Sequence, residues 1–446
     1  MREITQVPVA PSAVPNSGAG KPTSNGVSHS ADGHKETNGV NRLVISGKVH
    51  NVTRLQELDD LLASARKSCA VIFFTSSTCA PCKIVYPAYD ELASEAGGKA
   101  VLIRVDLNKS YEIGSRYKVR ATPTFMTFLG SEKVDEWSGA NEGQLRGNVR
   151  MLMQMAYPPH PHSELRLPNL QKPHQQYVIY AKIPPLDKLI AKLGPTGTDP
   201  SVIALKDFIT MRASSPAASA PIPSLSEVGT FIRSSLDSTP STSLFPLVDL
   251  LRLALVDPRV SGYFAEEQSH DTVLAIFRHA MSLGEECPHT LRIVTLQMAC
   301  NLFSSSLYLS QLLGNPELLT PLVYLITSSL LDVTHAPVRV SAASLAFNVA
   351  SVNHQQRLEQ KADLLPESSQ VELAASFLEA LQREEESSEV LRGITLALGL
   401  LAYGCNKEGE LNELLGVMDA KHIVEGKIND VDKERNLFKE VMQVVG

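Results

Sequence analysis

Apolar and polar residues follow two different rhythms along this chain. Up to about residue 155, short apolar runs alternate with segments whose apolar side chains recur every three or four positions. Ala70-Val-Ile-Phe-Phe74 is rich in strand formers, and Ile84, Val85, Ala88, Leu92 and Ala93 then recur at helical spacing as far as Ala96. The same reading predicts strands at Leu43–Ser46, Ala100–Val105, Thr124–Leu129 and Lys133–Trp137, and helices at Val52–Ala65, Tyr111–Tyr117 and Asn141–Met155. From Ile183 onward only the helical period remains. Its candidates are Leu186–Leu193, Pro200–Arg212, Pro221–Leu236, Phe245–Val256, Thr272–Ser282, Thr290–Leu309, Pro316–Leu331, Pro337–Val352, Gln370–Glu385, Ser388–Tyr403 and Glu410–Leu415. Pro, Gly, Asn and Asp fill the joints, where they stop and cap helices. Helices grouped in units of about 40 to 47 residues are the mark of an armadillo- or HEAT-like solenoid. The expected fold is therefore an α/β domain followed by an all-α solenoid.

Composition sharpens the boundaries. Residues 1–41 are rich in Ser, Gly, Asn, Pro and Thr and too poor in large apolar side chains to offset chain entropy, so a disordered tail is expected there. The α/β domain is expected over residues 42–157 and the solenoid over residues 181–446. Between them, residues 158–180 open with Tyr157-Pro-Pro-His-Pro-His162, whose prolines forbid helix and favour an extended, semi-stiff spacer. Hydrophobic residues make up 43% and charged residues 20% of the 446, ordinary values for a soluble protein. A net charge of −7 gives no sign of a nucleic-acid surface, and no apolar run approaches the ~20 residues that span a bilayer. The N-terminus lacks the apolar region of a secretory signal, and six cysteines in so long a chain argue for a reducing compartment. The expected location is cytoplasmic, with the nucleus open as a second.

Candidate chemistry centres on Cys79-Ala-Pro-Cys82, where the apolar strand hands over to the helix. A cysteine at a helix N-terminus meets unpaired N–H groups and the positive end of the helix dipole, which favour a thiolate. Pro81 suits the first helical turn. The spacing brings the sulfurs within reach of a small disulfide, so Cys79 can attack and Cys82 can resolve. Zinc is the alternative for such a pair, but no second cysteine or histidine pair has suitable spacing, so no metal or other cofactor is expected. His160 and His162 are neighbouring loop histidines, which more often ligate nothing. Cys287, Cys300 and Cys405 lack paired spacing and read as core thiols.

The CxPC motif resembles the thioredoxin active site, with Ala80 where Gly is usual, and the order of elements around it is similar to thioredoxin. Val119-Arg-Ala-Thr-Pro123 resembles the family's segment in which a cis proline faces the disulfide. The resemblance implies a thioredoxin-like fold and catalytic roles for Cys79, Cys82 and Pro123. Two positions depart from it. Phe73 stands where thioredoxins bury an acid that assists proton transfer at the second thiol, and Thr78 stands where a tryptophan usually precedes the first cysteine. Loss of the acid is expected to slow exchange without abolishing it, since the thiolate remains the nucleophile. A thioredoxin fold used only for docking is the other reading of this domain.

A second resemblance covers residues 181–446. Lys182-Ile-Pro-Pro-Leu-Asp-Lys-Leu-Ile-Ala-Lys-Leu193 and three helical stretches, Leu291–Phe303, Val338–Ala350 and Glu389–Leu401, are similar to a PUL domain, as in phospholipase A2-activating protein. Fungal-type proteins that join a thioredoxin-like domain to a PUL domain have the same layout. The resemblance implies an armadillo-like array whose groove binds the acidic C-terminal tail of the ubiquitin-selective AAA ATPase called valosin-containing protein. Such a tail wants Arg or Lys for its charge and Asn for its backbone. Arg392 matches the arginine of the family's last conserved helix, and Asn301 and Asn348 match asparagines in two earlier ones. Gln297 replaces a further arginine, and Arg292 and Arg339 lie where they can compensate. The plainer account of these polar residues is that they cap helices or bond neighbouring repeats.

Three functions follow as expectations. The first is a modular adaptor of the AAA ATPase, in the ubiquitin–proteasome pathway, whose thioredoxin-like domain meets disulfide-containing or ubiquitinated clients. The second is a thiol–disulfide oxidoreductase whose helical domain only localises it. The third is a scaffold with neither activity. No nucleic acid and no membrane is expected among the partners.

Overall fold

The strand read from Ala70–Phe74 lies at the centre of a five-stranded sheet. The sheet comprises β1 (His50–Val52), β2 (Cys69–Thr75), β3 (Ala100–Asp106), β4 (Thr124–Leu129) and β5 (Glu132–Ser138), in the spatial order β1-β3-β2-β4-β5. β2 runs parallel to β3 and antiparallel to β4, and every residue of it is buried. A strand covered on both faces is a continuous apolar run, which is how it reads in sequence. Its alternate side chains feed two cores. Cys69, Val71 and Phe73 pack with residues of α2 (Ala80–Ala96) and α4 (Glu142–Ala156). Ala70, Ile72 and Phe74 pack with residues of α1 (Leu55–Ser64) and α3 (Tyr111–Arg116).

This computed structural model describes residues 47–174, 176–214, 220–359, 361–429 and 434–446. The tail expected at residues 1–41 and the strand expected at Leu43–Ser46 lie outside the described residues. The first helix begins at Leu55 rather than Val52, because His50–Val52 pairs in parallel with Ile103–Val105 as an edge strand.

The chain divides into two units at Pro158 and Pro159. From Leu186 onward the second unit is built of helices. Its helices are α5 (Leu186–Ala191), α6 (Pro200–Ser214), α7 (Leu225–Ser238), α8 (Ser241–Ala254), α9 (Pro258–Glu266), α10 (Asp271–Ser282), α11 (His289–Asn301), α12 (Ser306–Gly314), α13 (Pro316–Leu330), α14 (Ala336–Leu358), α15 (Glu367–Arg383), α16 (Ser388–Ala402), α17 (Glu410–Val417), α18 (Ala420–Gly426) and α19 (Arg435–Val444). They stack around one continuous apolar core, as an armadillo-like array requires. The single helix expected over Thr290–Leu309 is two, broken at Ser305, whose hydroxyl caps α12 by accepting from the Leu307 N–H. α9, α18 and α19 were absent from the helical pattern. α9 starts where Asp257 accepts the Arg259 N–H at 3.0 Å with Pro258 in the first turn.

The larger correction concerns the proline-rich stretch. Residues 159–185 are not a spacer; they belong to the second unit and form a strap on its helices. Leu167 and Leu170 are fully buried in its core. The Asn169 N–H and side-chain amide donate to the Glu440 carboxylate on α19 at 2.8 and 2.7 Å. Gly399 on α16 makes room for this docking, since a Cβ there would lie 3.0 Å from Leu170 and 2.7 Å from Val441.

Candidate functional site

Two places gather the chemistry. In the first unit, β2 ends at Thr75 and the chain turns through Ser76–Thr78, so Cys79 becomes the N-cap of α2 with Pro81 in its first turn. Cys79 and Cys82 are joined by a disulfide. The Cys79 sulfur accepts the Cys82 N–H at 3.1 Å, a contact that would also stabilise its thiolate once reduced. The same sulfur lies 3.5 Å from the Thr122 carbonyl oxygen, and the Thr122–Pro123 bond is cis. Cys79 is half-buried and Cys82 is 0% exposed, so only the first sulfur is accessible from outside.

Beneath the disulfide the floor is aromatic. Phe73, in the same apolar cluster as Cys82, stacks on Phe125 at 4.6 Å, and Phe125 stacks on Trp137 at 5.3 Å. Tyr86 and Tyr89 meet Phe73 edge-on at 5.6 and 5.2 Å. Among the described residues of this unit no Asp or Glu is buried. The remaining cysteines are buried, and burial pushes the Cys69 thiol up to about 11 and raises those of Cys287, Cys300 and Cys405. Such thiols are poor nucleophiles at neutral pH.

His160 serves a turn of the strap itself, and His162 ties the strap to the loop after α16. Each uses a ring nitrogen to accept a backbone N–H, His160 from His162 at 3.2 Å and His162 from Gly404 at 3.1 Å. Among the described residues no His, Cys, Asp or Glu group is arranged to hold a metal.

In the second unit, α8, α11 and α14 present Arg252, Asn301 and Asn348 to the strap. Both asparagines are fully buried. The Asn348 amide accepts the Val178 N–H at 2.8 Å and donates to the Val178 carbonyl at 3.0 Å. Asn301 accepts the Tyr180 N–H at 2.7 Å and donates to the carbonyls of Tyr180 and Arg252 at 3.0 and 2.7 Å. The Arg252 guanidinium, held by Asp249 at 2.6 Å, donates to the carbonyls of Tyr180 and Lys182. The asparagines expected to grip a partner's backbone therefore grip this chain's own. The Tyr180 hydroxyl adds a bond to Ser344 at 2.9 Å.

The other sequence-derived positions divide. Arg339 is 7% exposed and ion-paired with Glu384 at 2.7 Å and Glu386 at 2.9 Å. Burial works against charge on Glu384, but Arg339 and the N–H groups of Glu386 and Ser387 outweigh it and hold its pKa below the usual range. Arg292 donates to the Gly284 carbonyl and lies 3.9 Å from Asp332. Gln297, half-buried on α11, donates to the Ser341 hydroxyl at 3.4 Å. Of the six, Arg392 alone keeps an exposed head, 58% accessible and 3.3 Å from Glu434. Arg252 and the strap residues escaped the sequence reading. The available signal was Tyr177-Val-Ile-Tyr180, an apolar run too rich for a solvated spacer.

These two arrangements have recognisable relatives. The PUL domain family matches residues 173–444 and the thioredoxin family matches residues 49–150. The chain belongs to the PUL domain family and carries a thioredoxin domain ahead of that region. Thioredoxin-2 of Pyricularia oryzae is 35% identical over 113 residues, spanning 25% of this chain and 64% of that protein. Thioredoxin of Equus caballus is 30% identical over 105 residues, spanning 24% of this chain and 99% of that protein. A peptide-N(4)-(N-acetyl-beta-glucosaminyl)asparagine amidase of Caenorhabditis briggsae is 33% identical over 103 residues, which are 23% of this chain but only 17% of the amidase.

Proposed function

We propose that this protein is a cytoplasmic adaptor of the ubiquitin-selective AAA ATPase, docking the ATPase's acidic C-terminal tail on its PUL domain and presenting a thioredoxin domain to clients. The observation that carries the reading is the union, in one chain, of a PUL domain with a CxPC helix start. Arg392 is the cation best placed to meet a tail carboxylate, because its head is exposed. Gln297, half-buried on α11, is the position at which a further cation would add to Arg392. Asn301, Asn348, Arg292 and Arg339, spent on bonds within this chain, act only by holding that surface in place.

Calorimetry with the full chain and a peptide copied from the ATPase tail tests this. A charge-assisted bond contributes about 1.5–3 kcal/mol, so Arg392→Ala is expected to weaken binding about 10- to 100-fold. Gln297→Arg is expected to tighten it, and rising salt to weaken it. Tight binding indifferent to both substitutions would place the tail elsewhere.

A second activity rests on the accessibility of Cys79. In the reduced protein the Cys79 thiolate attacks a client disulfide, forming a mixed disulfide and releasing one client thiolate. The Cys82 thiolate then attacks the Cys79 sulfur, releasing the second client thiol and leaving the Cys79–Cys82 disulfide. A dithiol donor returns the two electrons. Insulin reduction that persists at full rate in Cys79→Ser would remove this reading.

A further inference from the structure

An extended chain turns the N–H and C=O groups of successive residues to opposite sides. In the strap, Val178 and Tyr180 give both groups to asparagine amides, and Lys182 gives its carbonyl to Arg252. Tyr177, Ile179 and Ala181 therefore turn theirs the other way. No hydrogen bond among the described residues takes those up. Residues 177–182 of the strap are thus held on one side, with no backbone partner on the other among the described residues.

The strap carries a lysine on either side of residues 177–181, and α16, whose Glu389 acts on Tyr180, carries charges of both signs. Lys172 and Lys182 are exposed at either end without an ion pair among the described residues, and Arg392 stands exposed on α16. Glu434 beside Arg392, and Glu389, whose charge acts on Tyr180, are the acids a ligand would meet. The inner edge offers a ligand nothing, since its asparagines are buried and spent on the strap, and Leu167 and Leu170 anchor the strap in the core.

We propose that the open edge of residues 177–181 is a template on which an acidic, extended peptide adds as a second strand. The proposal rests on the adaptor reading, since the tail assigned above is its ligand. The N–H groups of Ile179 and Ala181 donate to the peptide's carbonyls, and the carbonyls of Tyr177 and Ile179 accept its N–H groups. Lys172, Lys182 and Arg392 meet its carboxylates, Arg392 exchanging Glu434 for the ligand. Main-chain pairing supplies affinity and the three cations select acidic sequences. The partner joins the strap and does not replace it.

Amide hydrogen exchange on the full chain, with and without the tail peptide, distinguishes the outcomes. The expected result is new protection at the Ile179 and Ala181 amides, with Val178 and Tyr180 protected throughout. Loss of protection at Val178 and Tyr180 would mean that the peptide displaces the strap, and would overturn the proposal. Binding that leaves all four amides unchanged would overturn the pairing while leaving the adaptor reading intact, and absence of binding would overturn both. Ala181→Pro supplies a second test, because it deletes one outward N–H at an exposed position. It is expected to weaken binding about tenfold with Val178 and Tyr180 still protected, whereas Ala181→Ser, which keeps the N–H, is expected to bind like the parent chain. Equal binding by the proline variant would count against the template.

Discussion

Phe73 shows what one side chain decides beside the Cys79–Cys82 disulfide. Buried against Phe125 and edge-on to two tyrosines, it stabilises the sheet where an acid would move a proton. Phe73→Asp is expected to cost about 3–5 kcal/mol of stability, from the lost ring and the buried carboxylate, yet to speed release of the mixed disulfide. Thermal melts and stopped-flow reduction would check the two halves separately, and slower release would sink the proton-relay account. Asn348 is the corresponding single point under the strap. Asn348→Ala would leave the Val178 N–H and carbonyl unpaired, at an expected cost of about 2–4 kcal/mol by denaturant unfolding. The Cys79–Cys82 disulfide was legible in sequence because its geometry is local, two cysteines three residues apart at a helix start. Asn301 and Asn348 were legible as polar residues on apolar helices, but their partners were not. Those partners lie 121 and 170 residues away, and no local pattern encodes such a distance.

Among the elements, α14 carries the clearest response to pH. Burial pushes His354 down from an ordinary 6.5 to about 4. It packs against Tyr403 at 5.4 Å, with His174 and Arg357 as its charged or titratable neighbours. Because the unfolded chain takes up this proton first, stability is lost as pH falls from about 6.5 to about 4, by about 3 kcal/mol in all. The expected outcome for His354→Phe is a smaller drop in urea midpoint between about pH 7 and about pH 4.5. An unchanged drop would shift the effect to His160, His162 or His174, which burial also lowers. Strongly periodic helices were read to within a few residues. α9 was missed because Asp257-Pro258 reads equally as a turn, and α12 was fused to α11 because Ser305 is too small a signal to break an apolar run.

For the molecule as a whole, the composition shift near residue 158 located the boundary between its two units, but the helical rhythm placed the start of the second unit some twenty residues late. A chain of residues 159–446 is expected to melt like the second unit of the full protein. Beginning at Ile183 instead removes Leu167 and Leu170 and strips Asn301, Asn348 and Arg252 of their partners. That loss is expected to exceed about 5 kcal/mol and to lower the melting temperature by more than about 10 °C. Equal melting of the two fragments would show the strap to be dispensable. An ordinary helical array folds by neighbour-to-neighbour growth, each unit completed as the next one arrives. Here Asn169 must wait for Glu440, 271 residues later. On the ribosome the strap emerges before every helix that holds it, and its docking closes only when the last helix is out. This segment, made first and seated last, turns a chain of local steps into one transition that an incomplete polypeptide cannot pass.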